Sequence, residues 1–231
     1  MAGHIVTGGT GALGREVVRA LLAGGASVAV PYREEEGWRK LQEEMPAGAR
    51  LTGAPVELSD VAATARFVDD AVARLGGLSG VAAVAGAYAG SGPLPDAPAD
   101  EWSRMMHANL DSAYSICRAA LPHLRKSHGA IVTVGSKVVE GGGAGAAAYA
   151  VSKAGVVALT RVLALENKDH GVRVNCVMPG VIDTPKNRTG MPKADRSAWT
   201  PPAAIARVIV FLLSPDSAPV SGGIVPVDAH A

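Results

Sequence analysis

The sequence predicts an α/β fold, a doubly wound seven-stranded parallel sheet with helices on both faces, and three observations carry that expectation. Apolar runs of about five residues alternate with amphipathic stretches of roughly 12 to 20, the pattern of repeated βαβ units. Hydrophobic residues make up 48% of the 231 positions and charged residues 19%, enough apolar surface to offset the ordering entropy of a folded chain. Aromatic residues amount to only 4% while Gly numbers 28, so the core must be closely packed Ala, Val, Leu and Ile, which suits helices laid on a sheet. No linker or low-complexity segment interrupts the alternation, so residues 1–231 are expected to form a single domain.

The elements follow in order. A strand at Gly3–Thr7 leads to a helix at Ala12–Ala23, which the pair Gly24-Gly25 ends. Strand Ser27–Pro31 leads to helix Glu34–Glu44, and strand Leu51–Val56 to helix Val61–Leu75, where Asp60 is placed to cap the first turn. Strand Gly80–Ala85 precedes Trp102–Ser127, long enough to be two helical pieces. Strand Ala130–Gly135 is followed by helix Tyr149–Asp169, strand Arg173–Val177, helix Pro201–Leu213 and a last strand at Ile224–Val227. Thr200 and two prolines open the helix at Pro201. Parallel strands joined through helices cross over right-handed, so the ligand crevice lies at the carboxyl ends of the strands and function is expected in the loops that follow them.

Composition excludes several classes of partner. Lys and Arg number 22 against 21 Asp and Glu, with no long basic run to neutralise a row of phosphates, so no nucleic acid partner is expected. Cys117 and Cys176 sit among apolar residues without a CxxC companion and read as small core residues of a reducing, cytoplasmic protein. His107, His123 and His128 lack metal-like spacing and read as surface or helix-end residues; no metal site is expected. Residues 1–7 run straight into strand-like sequence with no basic region before an apolar stretch, so no signal peptide is expected. The uncharged segment Leu75–Pro95 is as long as a membrane span, but its glycines and two prolines break it, and it reads as a buried strand with Gly-rich loops rather than a membrane segment.

Chemistry enters after the first strand, where Thr7-Gly8-Gly9-Thr10-Gly11-Ala12-Leu13-Gly14 opens a helix. Glycines there allow a tight turn and bring a pyrophosphate to backbone N–H groups at the helix's positive end. The second strand ends in Pro31-Tyr32-Arg33, where such a fold meets the adenosine ribose. A guanidinium at that place suits a 2′-phosphate, so Arg33 favours NADP(H) over NAD(H). Glu34, Glu35 and Glu36 follow at once, and either repel that phosphate or form the negative first turn of a helix. Further on, Ser136 stands at a strand's carboxyl end and Tyr149-Ala150-Val151-Ser152-Lys153 at a helix start. Residues four apart share a helix face, and an ammonium beside a phenol is expected to lower the tyrosine pKa, making Tyr149 a usable acid or base.

In these residues the sequence resembles the short-chain dehydrogenase/reductase family over essentially its whole length, in the compact single-domain branch that includes 3-oxoacyl-carrier-protein reductases. Thr7-Gly8 through Gly14 match the family's TGxxx[AG]xG turn, Ser136, Tyr149 and Lys153 its catalytic trio, and Asn109 the asparagine of its fourth long helix. Asn175 through Gly180 and on to Thr184 resemble its N-x-x-x-P-G-x-x-x-T segment. The resemblance implies a Rossmann-type fold and a nicotinamide cofactor held by Gly8, Thr10, Ala12, Leu13, Gly14, Arg33, Glu57, Leu58, Ala85, Gly86, Tyr149, Lys153, Pro179, Gly180, Ile182 and Thr184. It implies that Lys153 holds the nicotinamide ribose and acidifies Tyr149, that Tyr149 passes a proton to or from substrate oxygen, that Ser136 orients that oxygen, and that Asn109 holds a water linking Lys153 to solvent. It also implies a homotetramer or homodimer formed through helices around 110–127 and 149–169, the latter carrying the small residues Ala150, Ala154, Gly155 and Ala158.

The sequence departs from the family in three places. The usual Asn-Asn-Ala-Gly reads Ala83-Val84-Ala85-Gly86, which removes side-chain amides that tie neighbouring strands. The adenine-contacting aspartate appears as Glu57, beside Leu58, and the terminal Asp-Gly-Gly reads Asp228-Ala229-His230. Substrate contacts are expected from the loop after Gly86, the stretch Lys137–Ala148 and a short lid near 183–202, whose Lys186, Arg188, Lys193 and Arg196 outnumber Asp183 and Asp195. Such a lid either greets an anionic substrate, such as an acyl group on a phosphopantetheine carrier, or is a solvated loop. Lys137 and Tyr88 either line the pocket or stand clear of it. The resulting expectation is a cytoplasmic oxidoreductase that interconverts a small-molecule carbonyl and an alcohol. Its alternatives are a cofactor-binding sensor or scaffold without chemistry, and an NAD-dependent sugar or sterol dehydrogenase.

Overall fold

The computed structural model describes residues 3–228, and in it the strands β1 (Gly3–Thr7), β2 (Ser27–Tyr32), β3 (Leu51–Pro55), β4 (Gly80–Ala83), β5 (Ala130–Val134), β6 (Arg173–Pro179) and β7 (Ile224–Val227) form one all-parallel sheet. Their order is β3-β2-β1-β4-β5-β6-β7, so the direction of winding reverses between β1 and β4. A crevice opens at such a reversal, on the carboxyl side of the strands. The register pairs Thr7 with Ala83 and Val134 with Val177, bringing the loops after β1, β4, β5 and β6 to one rim.

Helices α1 (Ala12–Ala23), α2 (Glu35–Glu44), α3 (Val61–Leu75), α4 (Glu101–Met105), α5 (Ser112–Ser127), α6 (Ala147–Glu166), α7 (Pro185–Gly190) and α8 (Pro202–Leu213) connect them. Successive strand residues point to opposite faces, and both faces are apolar because both are covered. Val6, Val28 and Val30 face α1 and α8, where Val17, Val18, Ile205 and Ile209 are fully buried. Ile5, Ala29 and Val81 face the other way, against Phe67 and Val68 of α3 and Ile116 and Leu124 of α5. Each fully buried Ile or Val contributes roughly 1.5–3 kcal/mol of transfer free energy, so these two layers fix the sheet on which the site stands.

Some boundaries differ from those the sequence predicts, each for a local reason. β4 stops at Ala83, two residues short, because the chain turns where the Val84 N–H bonds the Ala82 carbonyl. β6 runs two residues further, to Pro179, paired with β7. Trp102–Ser127 is two helical pieces, as expected, but with no break between them. α4 begins at Glu101 and passes through a π-turn at Met106–Asp111 directly into α5, which also contains Pro122. α6 starts two residues earlier and ends at Glu166, followed by a separate 3-10 turn at Lys168–His170. Asp60 caps α3 as expected, accepting from the Ala62 and Ala63 N–H groups at 2.9 Å. Thr200 does not cap α8: Pro201 is the cap residue, and the Thr200 hydroxyl is turned inward to the Val227 carbonyl at 3.4 Å. The terminal turn after Asp228 lies outside the described residues.

By length and composition α6 is apolar enough to cross a membrane, but its buried side includes Val156, Val157, Thr160 and Leu163 packed in the interior. Its other face carries exposed Val151, Val162 and Leu165. Apolar residues on both sides of a helix account for its hydropathy.

Candidate active site

The turn between β1 and α1 is shaped by backbone crowding. Gly8 has φ +65°, a conformation that favours glycine, and a Cβ there would lie 2.9 Å from the backbone of Ala85. A Cβ on Gly14 would fall on the Gly8 carbonyl oxygen. With both side chains absent, the start of α1 closes on the end of β1, and the Gly11 N–H bonds Gly8 O at 2.9 Å. The first turn of α1 carries no acidic residue, so its positive end is left for an anion. Thr10 and Ala12 line this turn, whereas the Leu13 side chain is in the core, leaving only its backbone to face a ligand. These features fit the pyrophosphate of a dinucleotide: the cradle is one that a Cβ would fill.

On the ribose side, Arg33 is exposed at the end of β2. Tyr32, the residue before it, stacks on Trp38 at 5.3 Å and donates its hydroxyl to Glu35 Oε2 at 2.8 Å, so Glu35 belongs to the packing of α2. Glu57 accepts from the N–H and hydroxyl of Ser59 at 3.1 and 2.9 Å, and these bonds, helped by nearby Arg33, hold its carboxyl below the usual range. Leu58 is buried beside it, with its carbonyl accepting from Thr64.

The two amides missing at Ala83-Val84 are replaced from elsewhere. Thr7 Oγ1 accepts from the Ala85 N–H at 3.0 Å, tying β1 to the chain beyond β4. Asn109, 1% exposed, holds both backbone groups of Ala87: its Oδ1 accepts from the N–H at 2.9 Å and its Nδ2 donates to the carbonyl at 3.0 Å. The same Nδ2 donates to Ser152 Oγ at 3.0 Å, and Ser152 donates to the Tyr149 carbonyl at 2.7 Å. Gly86 is required beneath this network, since a Cβ there would meet Asn109 Oδ1 at 2.6 Å and Lys153 Nζ at 3.2 Å. Asn109 sits in the π-turn, where the widened helix turns it toward the loop. Both Nδ2 hydrogens are thereby used, on the Ala87 carbonyl and the Ser152 hydroxyl.

Ser136, Tyr149 and Lys153 come together at the rim. The Ser136 hydroxyl accepts from the Val138 N–H at 3.3 Å and lies close enough to the Tyr149 phenol to lower its pKa. Lys153, 5% exposed, donates from Nζ to the Val134 carbonyl at 2.8 Å. Burial pulls its ammonium down to about 8. Burial likewise holds the Tyr149 phenol above its ordinary value, while the Ser136 hydroxyl pulls it down and neighbouring Tyr88 pushes it up. The expected acidification of Tyr149 by Lys153 is not seen in the chain alone: burial is the largest influence on the phenol, and Lys153 is turned to the end of β5.

Beyond β6, Pro179 is buried and Gly180 lies against Asp228, whose Oδ1 would be 3.0 Å from a Cβ there. Lys137 does not reach freely into solvent or pocket; it is bonded to Asp228 Oδ2 at 2.6 Å, a link across the ends of β5 and β7. Ile182 and Thr200 form a parallel bridge that closes the neck of the lid. Within it, Thr184 caps the unexpected short helix α7 by accepting from the Asn187 N–H at 3.1 Å, and Asn187 donates to the Ile182 carbonyl. The lid's cations are partly taken up: Arg188 forms a bidentate pair with Asp183 at 2.6 Å, and Arg196 lies over the buried Trp199 ring. Sequence reading did not single out Ser152 or Thr7 as site residues. Ser152 precedes Lys153 on a face that periodicity marks only as buried, and Thr7 pairs with a residue 78 positions away.

A glycine-shaped turn at the winding reversal, beside a serine, a tyrosine and a lysine at the same rim, fits the site expected of a nicotinamide-dependent oxidoreductase. The family model described as short chain dehydrogenase matches residues 4–194, and the chain belongs to that family. It is 35% identical over 181 residues to an L-fucose dehydrogenase of Oryctolagus cuniculus, a match covering 78% of this chain and 63%, just under two thirds, of that protein. It is 31% identical over 237 residues to a meso-2,3-butanediol dehydrogenase of Serratia marcescens, covering 98% of this chain and 93% of the relative. Among solved structures, that of levodione reductase superposes with a TM-score of 0.92 at 28% identity, covering 98% of this chain and 96% of the other. Family and fold support NAD(P)-dependent interconversion of small-molecule carbonyls and alcohols. They do not single out the carrier-protein reductases.

Proposed function

We propose that the chain is an NADP(H)-preferring oxidoreductase in which Tyr149 is the general acid when a carbonyl is reduced and the general base when an alcohol is oxidised. The observation that carries this reading is the placement of Tyr149 one helical turn from buried Lys153 on α6, with Lys153 bonded to the Val134 carbonyl at the strand end that leads to Ser136. Gly8, Thr10, Ala12, Leu13 and Gly14 hold the pyrophosphate, Arg33 the adenosine side, with Glu57, Leu58, Ala85 and Gly86 beside the adenosine. Pro179, Gly180, Ile182 and Thr184 border the nicotinamide. When bound, the nicotinamide supplies or accepts the hydride. Ser136 donates to the substrate oxygen and orients it, and Tyr149 delivers or removes the proton at that oxygen. Lys153, one turn from Tyr149, would hold the cofactor ribose and, as an ammonium beside the phenol, would favour the phenolate. Asn109 keeps the Gly86–Ala87 loop and Tyr149 in register through Ser152.

The substrate class that suits this site is a small neutral carbonyl or alcohol, in line with relatives named for L-fucose and 2,3-butanediol. Pairing of Arg188 and Arg196 within the lid weakens the case for an anionic carrier-bound acyl group. The exposed apolar stripe of α6 supports a homotetramer or homodimer, and the buried free thiols of Cys117 and Cys176 are compatible with a cytoplasmic setting. The lid near 183–202 belongs to the same single domain as the sheet. Titration of the protein with NADPH and NADH, followed by a carbonyl panel monitored by nicotinamide absorbance, tests the reading. Tighter NADPH binding and consumption of reduced cofactor with a carbonyl are expected; tighter NADH binding overturns the Arg33 assignment, and binding without turnover on any substrate favours the sensor alternative.

A further inference from the structure

The side chain of Tyr88 is 66% exposed, more than those of Trp102, Phe211 and Tyr114, the other exposed aromatic residues. It stands two residues beyond Gly86 and lies edge-to-face with Tyr149, ring centroids 4.9 Å apart at 76°. The loop that carries it is fastened at both ends. Asn109 holds both backbone groups of Ala87, and the Gly92 N–H donates to the Gly145 carbonyl at 3.1 Å. Gly90 leaves the space its hydroxyl occupies, since a Cβ at Gly90 would collide with it. The ring is thus held beside the proton-transfer group, with much of its surface left uncovered.

We propose that Tyr88 is a specificity-determining residue, the wall against which a neutral, ring-shaped carbonyl or alcohol substrate lays its carbon face while its oxygen meets Tyr149 and Ser136. The inference rests on the proposed role of Tyr149. Two aromatic rings at right angles make a corner, and a flat or chair-shaped ring presents C–H groups to one while its oxygen points along the other; an open chain, free to rotate, gains less from the same wall. Neighbouring Ala87, Ala89 and Ala146 are small and uncharged, and Lys137 is committed to Asp228, so nothing in this corner calls for a charged substrate.

Steady-state kinetics with saturating cofactor on a matched pair, cyclohexanone and butanone, in wild type, Tyr88→Ala, Tyr88→Phe and Tyr149→Phe, tests the assignment. Tyr88→Ala is expected to raise KM for cyclohexanone about tenfold while changing KM for butanone by less than about twofold. Tyr88→Phe keeps the wild-type ratio, and the thermal midpoint of both variants is unchanged because the ring is exposed. Equal effects of Tyr88→Ala on both ketones, or none on either, overturn the assignment while loss of turnover in Tyr149→Phe leaves the proposed mechanism standing. Normal turnover in Tyr149→Phe overturns both.

Discussion

Glycine does opposite things at the two ends of the crevice. At the β1–α1 turn it is enforced by contact: Gly14 has room for no side chain because the Gly8 carbonyl occupies the place, and Gly8 lies against the Ala85 backbone. In the 183–202 segment it is permitted by emptiness: nothing lies within 4 Å of a Cβ built on Gly190 at the end of α7. The first arrangement makes a cradle of fixed shape for a group common to many reactions. The second leaves loops whose side chains can change without disturbing the sheet. A fold that keeps one end sterically closed and the other loosely filled retains its cofactor while its substrate varies.

The difference can be broken most forcefully at Gly14. Gly14→Ala drives a methyl into backbone that has no way to yield, so a loss of about 3 kcal/mol or more is expected in urea unfolding, together with loss of NADPH binding by titration. A wild-type midpoint in that variant would mean that the turn is not sterically set. A smaller effect comes from the opposite end of β1, where His4 is 6% exposed and its Nδ1 has no hydrogen-bond partner among the described residues. Burial pulls its pKa from the ordinary 6.5 down to about 4. A base lowered in this way is neutral in the fold and takes up a proton on unfolding. Its contribution is therefore complete above pH 6.5 and is lost as the pH falls toward about 4, at most about 3 kcal/mol. Urea midpoints across that pH window should flatten in His4→Leu; an unchanged slope would show that the His4 imidazole does not carry this pH dependence. The smallest effect belongs to Gly190→Ala, expected to stabilise the protein by about 0.5 kcal/mol with kcat unchanged; measurable destabilisation would show that the lid is packed as tightly as the cofactor turn.

Much of this arrangement was legible because it is local. Gly3–Thr7, Ala12–Ala23, Val61–Leu75 and Ile224–Val227 fall where apolar periodicity and caps put them, since both signals act within one element. What the sequence hid is long-range or geometric. The π-turn at Met106–Asp111 has no signature in hydrophobic spacing, so the two helical pieces are legible and the turn that joins them is not. The bond from Lys137 to Asp228 joins residues 91 apart, and only the parallel order of β5, β6 and β7 brings them together. α7 was announced by Thr184-Pro185, a cap and a first-turn proline, but six residues are too few for periodicity to register. At the site, spacing placed Tyr149 and Lys153 on one helix face, as found, yet could not weigh burial against charge, which is why the phenol stands above its ordinary pKa in the chain alone.

The central claim is that one phenol moves the proton while the glycine turn holds the dinucleotide. Tyr149→Phe, assayed for NADPH binding by fluorescence titration and for carbonyl reduction by absorbance, separates the two ends directly. The account predicts a cofactor affinity close to wild type and a fall in kcat of about 10²–10⁴; turnover at the wild-type rate would contradict it.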